Sequence, residues 1–176
     1  MGEIEVRRAG RADLPTILEL IEQLDRLQRP WRVFPPRPDF GEELAARYRS
    51  ALDDSGEVVL VATDANEVVG TAYGHVTAPS TVSDEPALEL SGVMVRPSHR
   101  GRGIGRILTK SAARFAREAG VRMVTVKIFA QNEEAVRFWE ALGFEHRMLQ
   151  MVAPAESLDS PSVGQAGKPD PRPSRP

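Results

Sequence analysis

A strand, a glycine-rich turn and a helix follow one another between residues 87 and 119, and this run constrains the fold more than any other part of the chain. Residues 87–95 are mostly apolar, glycines then occupy alternate positions at Gly101, Gly103 and Gly105, and the apolar residues beyond the turn recur at helical spacing. Without those side chains, backbone N–H groups can approach a ligand, and the first turn of a helix has N–H groups without intrahelical partners. The pattern therefore predicts a site for an anion such as a phosphate.

A glycine-rich turn can also be a tight connection that binds nothing, so its neighbours matter. A Walker loop needs Lys and then Ser or Thr after its last glycine, whereas Arg106, Ile107 and Leu108 follow here. A Rossmann dinucleotide site would begin with glycine rather than Arg100, and would have an acidic residue about 20 positions later, where Gly120 lies instead. Both nucleotide-binding interpretations are therefore rejected.

The turn resembles the pyrophosphate signature of the GNAT family of N-acetyltransferases, which is Arg or Gln, two residues, Gly, one residue, and Gly or Ala. Here that signature runs from Arg100 to Gly105. The family's second signature is matched at the expected distance by Asn132, Ala135, Phe138, a further aromatic residue, Leu142, Gly143 and Phe144. The resemblance covers roughly residues 4–152 and is strongest from residue 87 to residue 145.

The resemblance implies an α/β (α+β) fold with a mixed, mostly antiparallel sheet of about six to seven strands and about four helices on its two faces. It also implies an acetyl-CoA-dependent N-acetyltransferase, in which the amine of a small molecule or peptide attacks the thioester directly. The alternatives are an acyl-CoA-binding regulatory domain with weakened catalysis and a protein N-terminal or lysine acetyltransferase. Relatives often dimerise through their C-terminal strands, which implies a homodimer here.

The same resemblance assigns residues to acetyl-CoA: Val93, Met94, Val95, Arg100, Gly101, Arg102, Gly103, Ile104, Gly105, Arg106 and Asn132. The backbone amides of the turn would hold the pyrophosphate, and the arginines would add positive charge. The strand segment would pair with the pantetheine arm where a bulge frees its backbone, and Gly92 suits such a bulge. Asn132 can also be a helix N-cap, so two interpretations of it stay open.

Two residues are candidates for catalysis. Glu89 stands where some family members place a general base, and it must point to the opposite face of its strand from Leu88 and Leu90. A solvated position on a one-sided sheet is the alternative for Glu89. The family usually places an acidic Tyr where Trp139 stands here, and an indole N–H cannot release its proton as a phenol does. Tyr73 is therefore a substitute acid, unless the thiolate leaves unaided or catalysis has been lost.

Composition limits the other classes of function. With 176 residues, 41% of them hydrophobic, the chain suffices for a single domain, expected over residues 1–153. Residues 154–176 are rich in Pro and Ser and predict a disordered tail. A net charge of −2 argues against a nucleic-acid partner. The absence of cysteine excludes a disulfide, and no metal is predicted. No apolar run has the length of a membrane span. A cytoplasmic protein is expected.

The order of the remaining elements agrees with this fold. Strands are predicted at residues 4–8, 58–63, 67–77, 88–95, 123–129 and 148–152, and helices at residues 14–27, 40–53, 104–119 and 133–142. Residues 64–66 predict an antiparallel hairpin, and the helix between the fourth and fifth strands predicts that these two lie parallel. The proline-rich residues 29–38 contain Trp31 and Phe34, which either pin a loop to the core or form a wall of the acceptor site.

Overall fold

A computed structural model of the chain describes residues 2–78 and 84–158. The chain divides into two units, residues 1–145 and residues 146–176. The first unit contains the sheet and the long helices. In the second unit, the described residues have no strand, and a single turn of 3-10 helix spans Ala155–Leu158. Most of the predicted tail, residues 159–176, lies outside the described residues, as do residues 79–83 of the loop before the fourth strand.

The first unit is built on one sheet of five strands in the order β1-β2-β3-β4-β5. The strands are β1 (Ile4–Arg8), β2 (Glu57–Asp64), β3 (Glu67–Val76), β4 (Ala87–Val95) and β5 (Met123–Val126). Neighbouring strands are antiparallel except for β4 and β5, which are parallel and joined by a helix, as predicted. The turn between β2 and β3 contains Ala65 and Asn66, both with positive φ, as a two-residue hairpin turn requires.

Four helices cover the sheet: α1 (Leu14–Gln28), α2 (Phe40–Ala51), α3 (Ile104–Glu118) and α4 (Glu133–Glu140). Side chains alternate along β2, so that Val58 and Leu60 face α3 and α4, whereas Val59 and Val61 face α1 and α2. Each face of the sheet therefore has its own hydrophobic core. The prediction of about four helices on two faces is confirmed.

The prediction of six to seven strands is wrong for the part of the chain that the structure describes. Residues 148–152 were expected to form a last strand, but they pair with no neighbour there, and β5 ends at Val126 instead of residue 129. Apolar alternation indicates which residues are able to form a strand. Only a partner backbone at hydrogen-bonding distance makes it one.

Candidate functional site

The glycine-rich turn lies between β4 and the start of α3, and its backbone is open on one side. Gly101 and Gly103 have φ angles of +74° and +76°, and a Cβ built on either would meet no atom within 4 Å among the described residues. Gly103 caps α3, and the first intrahelical bond runs from the N–H of Ile107 to the carbonyl of Gly103. The N–H groups before Ile107 therefore have no partner in the helix and point along its axis, which suits an anion.

Gly105 serves another purpose, which the sequence pattern did not separate from the first. A Cβ at Gly105 would lie 3.0 Å from the ring of Phe138 on α4. This glycine therefore allows α3 and α4 to approach closely, and its missing side chain makes room for protein rather than for a ligand.

The arginines of the turn already have partners in the protein. Arg102 donates to a carboxylate oxygen of Asp64 at 2.6 Å, and this hydrogen bond lowers the pKa of Asp64. Arg106 donates to the carbonyl of Ala141 at 3.4 Å, at the far end of α4. Arg100 donates to the carbonyl of Val95 at 3.4 Å. Arg102, which was predicted to contact the cofactor, thus directs its guanidinium to the β2–β3 hairpin.

A bulge interrupts β4 beside the turn. Tyr73 on β3 is opposite Ser91, and Thr71 is opposite Met94, so β4 has one residue more than β3 over this interval. Gly92 adopts a φ of +60° within the extra segment, which agrees with the expectation that it suits a bulge. A Cβ there would lie 2.5 Å from the Tyr48 hydroxyl, so only glycine fits.

The bulge coincides with a separation of β4 from β5. The last paired residues are Leu90 and Val126, so β4 continues for five residues, Ser91 to Val95, without pairing to β5. Among the residues assigned to acetyl-CoA, Met94 packs in the core below α1 and α2, whereas Val93 and Val95 pack toward α3. Backbone groups on this edge of β4 are therefore available to an extended ligand.

Glu89 lies on the α1 and α2 face of the sheet, two residues before Ser91. It is opposite His75 on β3, and its carboxylate oxygen is 2.7 Å from the ammonium group of Lys127. The Glu89 side chain is only 20% exposed, whereas that of Lys127 is 82% exposed. The Nδ1 atom of His75 is buried and makes no hydrogen bond within the described residues.

Tyr73 and Trp139 lie on opposite faces of the sheet. Trp139 is buried among the side chains of α3 and α4, where its ring makes edge contacts with Phe138 and Phe144. Tyr73 lies on the same face as Glu89 and stacks on His75, with ring centres 5.9 Å apart. Burial raises the pKa of Tyr73, although a hydrogen bond from Arg47 opposes this effect. Of the two aromatic residues, Tyr73 is therefore the one that faces the Glu89 side of the sheet.

A cavity of about 220 Å³ lies between α1, α2 and the bulge of β4. It is lined by Ile21, Leu24, Asp25, Gln28, Arg32, Phe40, Leu44, Arg47, Tyr48, Tyr73, Ser91 and Gly92. Sequence reasoning did not assign Asp25, Arg32 or Arg47 to a site. A signal for one of them is present, because Asp25 falls on the apolar stripe of α1, one helical turn after Ile21.

The proline-rich loop contributes to this region. Arg32 reaches the cavity from it, and Trp31 packs on Phe129 beyond β5, with ring centres 6.1 Å apart. Phe34 is 79% exposed and does not anchor the loop. The interpretation of residues 29–38 as a wall beside the cavity is thus supported by Arg32, and Trp31 pins the loop.

Asn132 precedes α4, and its side-chain oxygen accepts a hydrogen bond from the N–H of Ala135 at 3.1 Å. This is the geometry of an N-cap. Within the described ranges, no group of three His, Asp or Glu side chains could hold a metal ion, and no helix is long and apolar enough to cross a bilayer.

Comparison with known proteins places the chain among acetyltransferases. The family model described as acetyltransferase (GNAT) family matches residues 20–144. A mycothiol acetyltransferase of Rhodococcus jostii is 34% identical over 106 residues, which cover 58% of this chain and 34% of that protein. The chain therefore spans only about a third of that relative's length.

Two solved structures are also similar. A transcriptional regulator from Bacillus halodurans has a TM-score of 0.69 and 27% identity, covering 86% of this chain and all of that one. An aminoglycoside N-acetyltransferase solved with CoA has a TM-score of 0.72 and 20% identity, covering 88% of this chain and 95% of that one. At this lower identity the second comparison supports the fold alone.

Proposed function

The chain belongs to the GNAT acetyltransferase family, and from this premise we propose that it transfers the acetyl group of acetyl-CoA to the amine of a small molecule or peptide. The observation that supports this most directly is the combination of an open glycine turn, the β4 bulge and the cavity in one region of the sheet. The turn suits a polyanion, the bulge suits the thioester arm, and the cavity suits the acceptor.

The residues proposed to hold acetyl-CoA fit that co-substrate chemically. The pyrophosphate would lie on the N–H groups of Gly101, Gly103 and the first residues of α3, where the missing Cβ atoms leave space. The unpaired edge of β4 at Val93, Met94 and Val95 would receive the amide groups of the arm. When bound, acetyl-CoA supplies an activated thioester. Arg100, Arg106 and Asn132 complete the proposed set, and each has a partner in the protein that would need to share it.

Glu89 is the proposed general base. Its carboxylate is largely buried on the cavity side of the sheet and lies 2.7 Å from the ammonium group of Lys127. An ionised carboxylate can accept the proton that an ammonium group must lose before its nitrogen attacks, either directly or through a water. The amine is then ready to react, and no covalent bond to the protein is needed.

Tyr73 is the proposed acid for the departing thiolate. It has a proton that Trp139 lacks, and it lies on the cavity side, whereas Trp139 is buried on the other face. Two alternatives differ from this assignment: the thiolate leaves unaided in the same reaction, or the chain binds acyl-CoA as a regulatory domain without turnover, which would replace acetyl transfer.

Release of free thiol from acetyl-CoA in the presence of an amine panel tests this function. The panel should include amino acids, an aminoglycoside, a peptide with a free N-terminus and a lysine peptide. An aminoglycoside is included because one similar structure acts on that class. Turnover of any amine supports acetyl transfer, and the preferred amine separates small-molecule from peptide acceptors. Tight binding of CoA without turnover of any member would favour the regulatory domain.

A homodimer and a cytoplasmic location belong to the same proposal. The described part of the second unit exposes apolar side chains, among them Met148, Leu149 and Met151, at 91%, 74% and 83%. Association with another copy of the chain would cover such residues. Light scattering of the purified protein at several concentrations tests this, and a monomer at all concentrations would contradict the dimer.

A further inference from the structure

We infer that the acceptor carries a carboxylate beside its amine and an apolar side chain, so that its class is a free amino acid or a close analogue. This inference rests on the proposed acetyl transfer and concerns the cavity lined by α1, α2 and the β4 bulge. Four observations carry it: the pairing of Asp25, the unused donors of Arg47, the position of Glu89, and the size and lining of the cavity.

Asp25 is the only carboxylate among the described residues that line the cavity, and it lies between two arginines. One oxygen accepts a hydrogen bond from Arg29 at 3.1 Å, whereas the other lies 2.5 Å from the guanidinium of Arg32 without the geometry of a hydrogen bond. A buried carboxylate between two arginines has little attraction left for a ligand cation. Asp25 thus fixes Arg32 in the wall instead of binding an amine.

Arg47 has the opposite character, because its charge has no close partner. Its Nε and Nη2 atoms donate to the neutral hydroxyl of Tyr73 at 3.2 and 3.1 Å. Within the described residues, no carboxylate oxygen lies within 4 Å of its guanidinium, although Glu57 acts on it from a longer distance and also interacts with the Tyr73 hydroxyl. Two of the five N–H donors of Arg47 are used. Its guanidinium carbon also lies over the Tyr73 ring, 5.0 Å from the ring centre, in a cation–π contact. Arg47 is therefore a pre-positioned cation with donors left for a carboxylate.

Two carboxylates of the sheet, those of Glu57 and Glu89, flank His75 and therefore lie at a different level from Tyr73. Arg47 bonds to Tyr73, which is opposite Ser91, whereas Glu89 is opposite His75, two residues further along β3. Two residues of strand correspond to about 7 Å. An acceptor with an ammonium group and a carboxylate can therefore direct its carboxylate to Arg47 and its ammonium group to Glu89, in place of the exposed Lys127 that lies 2.7 Å from Glu89. A cation alone would leave the unused donors of Arg47 without a ligand.

The remaining lining sets the size and polarity of the acceptor. Ile21, Leu24 and Leu44 line the cavity together with the ring of Phe40. A volume of about 220 Å³ suits a small acceptor. A polycationic amine would be repelled by Arg47, whereas the charge of Arg32 is paired with that of Asp25. An amino acid with an apolar side chain satisfies the charge, the lining and the volume.

Matched acceptors test the inference. Leucine and phenylalanine should be compared with their amides and with their decarboxylated amines, using thiol release from acetyl-CoA at one pH. The amide has a less basic amine than the amino acid and the decarboxylated compound a more basic one, so a preference over both analogues isolates the carboxylate. We expect kcat/KM to be roughly 10–100-fold higher for the amino acids, since this is the worth of a hydrogen bond to a charged group.

Arg47→Gln should remove this preference, whereas Arg49→Gln should keep it. Arg49 is on the same helix and is exposed, as Arg47 is, but it does not line the cavity. Arg47→Lys should restore part of the preference because the charge returns without the planar donors. A melting curve for each variant shows whether it folds.

Binding supplies a measurement that does not depend on turnover. Titration calorimetry with N-acetylphenylalanine and with its amide, at saturating CoA, should show selective binding of the carboxylate that disappears in Arg47→Gln. Equal turnover of amines with and without a carboxylate overturns the inference and leaves acetyl transfer intact. If no amine reacts, selective binding that depends on Arg47 supports the carboxylate site and overturns acetyl transfer. Equal binding of the acid and the amide then overturns both.

Discussion

The carboxylate of Asp64, the last residue of β2, accepts a hydrogen bond of 2.6 Å from the guanidinium of Arg102 in the glycine-rich turn. The two residues are 38 positions apart in the chain, and His99 lies 3.6 Å from the same carboxylate. The β2–β3 hairpin is therefore fastened to the proposed phosphate turn. We therefore expect Arg102 to hold the turn in place, because its charge is paired with Asp64 and is not free for a phosphate.

We expect Arg102→Gln and Asp64→Asn each to weaken CoA binding by about two- to fivefold, the worth of a partly exposed ion pair. The double variant should bind no more weakly than either single one, because both changes remove the same contact. Titration calorimetry measures these affinities. If Asp64→Asn bound CoA more tightly than the wild type, Arg102 would be a phosphate ligand that Asp64 withholds.

The stability that the Asp64–Arg102 pair contributes should decrease only as the pH falls. Arg102 lowers the pKa of Asp64 below its usual 3.8, so the carboxylate is ionised at neutral and mildly acidic pH. Stability from a lowered carboxylate pKa is present above that usual value and is lost as the pH falls through the folded pKa. The difference in melting temperature between wild type and Asp64→Asn should therefore persist in mild acid and vanish only in strong acid.

Gly103→Val should abolish CoA binding and leave the protein folded. The side chain would occupy the open space beside the helix start, where the pyrophosphate is proposed to lie. Gly120→Val is a matched control, since Gly120 has a φ of +73° and equally open surroundings, but follows the other end of α3. A non-glycine residue at positive φ destabilises each variant by about 1–2 kcal/mol. If the two variants bound CoA with equal affinity, the glycine-rich turn would not be the pyrophosphate site.

Glu89→Gln should lower kcat by roughly 10²–10⁴-fold with little change in the affinity for acetyl-CoA. The loss should be greatest at low pH and shrink as the pH approaches the pKa of the acceptor amine, since free amine then needs no base. Glu5→Gln is the control, because Glu5 is an exposed residue of the edge strand β1. A loss of only two- or threefold that is the same at every pH would make Glu89 a positioning residue at most.

Tyr73→Phe should lower kcat by roughly 10²–10⁴-fold if the hydroxyl protonates the thiolate. Burial raises the pKa of Tyr73 above its usual 10.0, so the acid form persists and the wild-type rate should decline only above pH 10. This decline should be missing from the variant's pH profile. Tyr48→Phe is the control, since the Tyr48 ring contacts the Tyr73 ring at a tilt, with ring centres 5.3 Å apart. If the decline in rate above pH 10 disappeared in Tyr48→Phe instead, the acid would be Tyr48 on α2.

Local patterns in the chain were sufficient for the elements around the site. The glycines of the turn, the helical spacing after them and the two-residue hairpin at Ala65 and Asn66 all depend on backbone conformations that neighbouring residues dictate. The parallel pairing of β4 and β5 followed from the helix between them, because such connections join parallel strands. These features could be read from the sequence because each is determined within a few residues or by a single connection.

Tertiary structure alone decided which distant groups meet. The sequence gives no sign that Arg102 donates to Asp64, that Arg47 donates to Tyr73, or that residues 148–152 pair with no strand among the described residues. Each of these contacts depends on the position of a segment that is distant in the chain. Several residues of the same chemical type could have made the same contact. Cofactor chemistry was therefore predictable from local backbone signals, whereas the charge of the acceptor cavity emerged only when α1, α2 and the β4 bulge packed together.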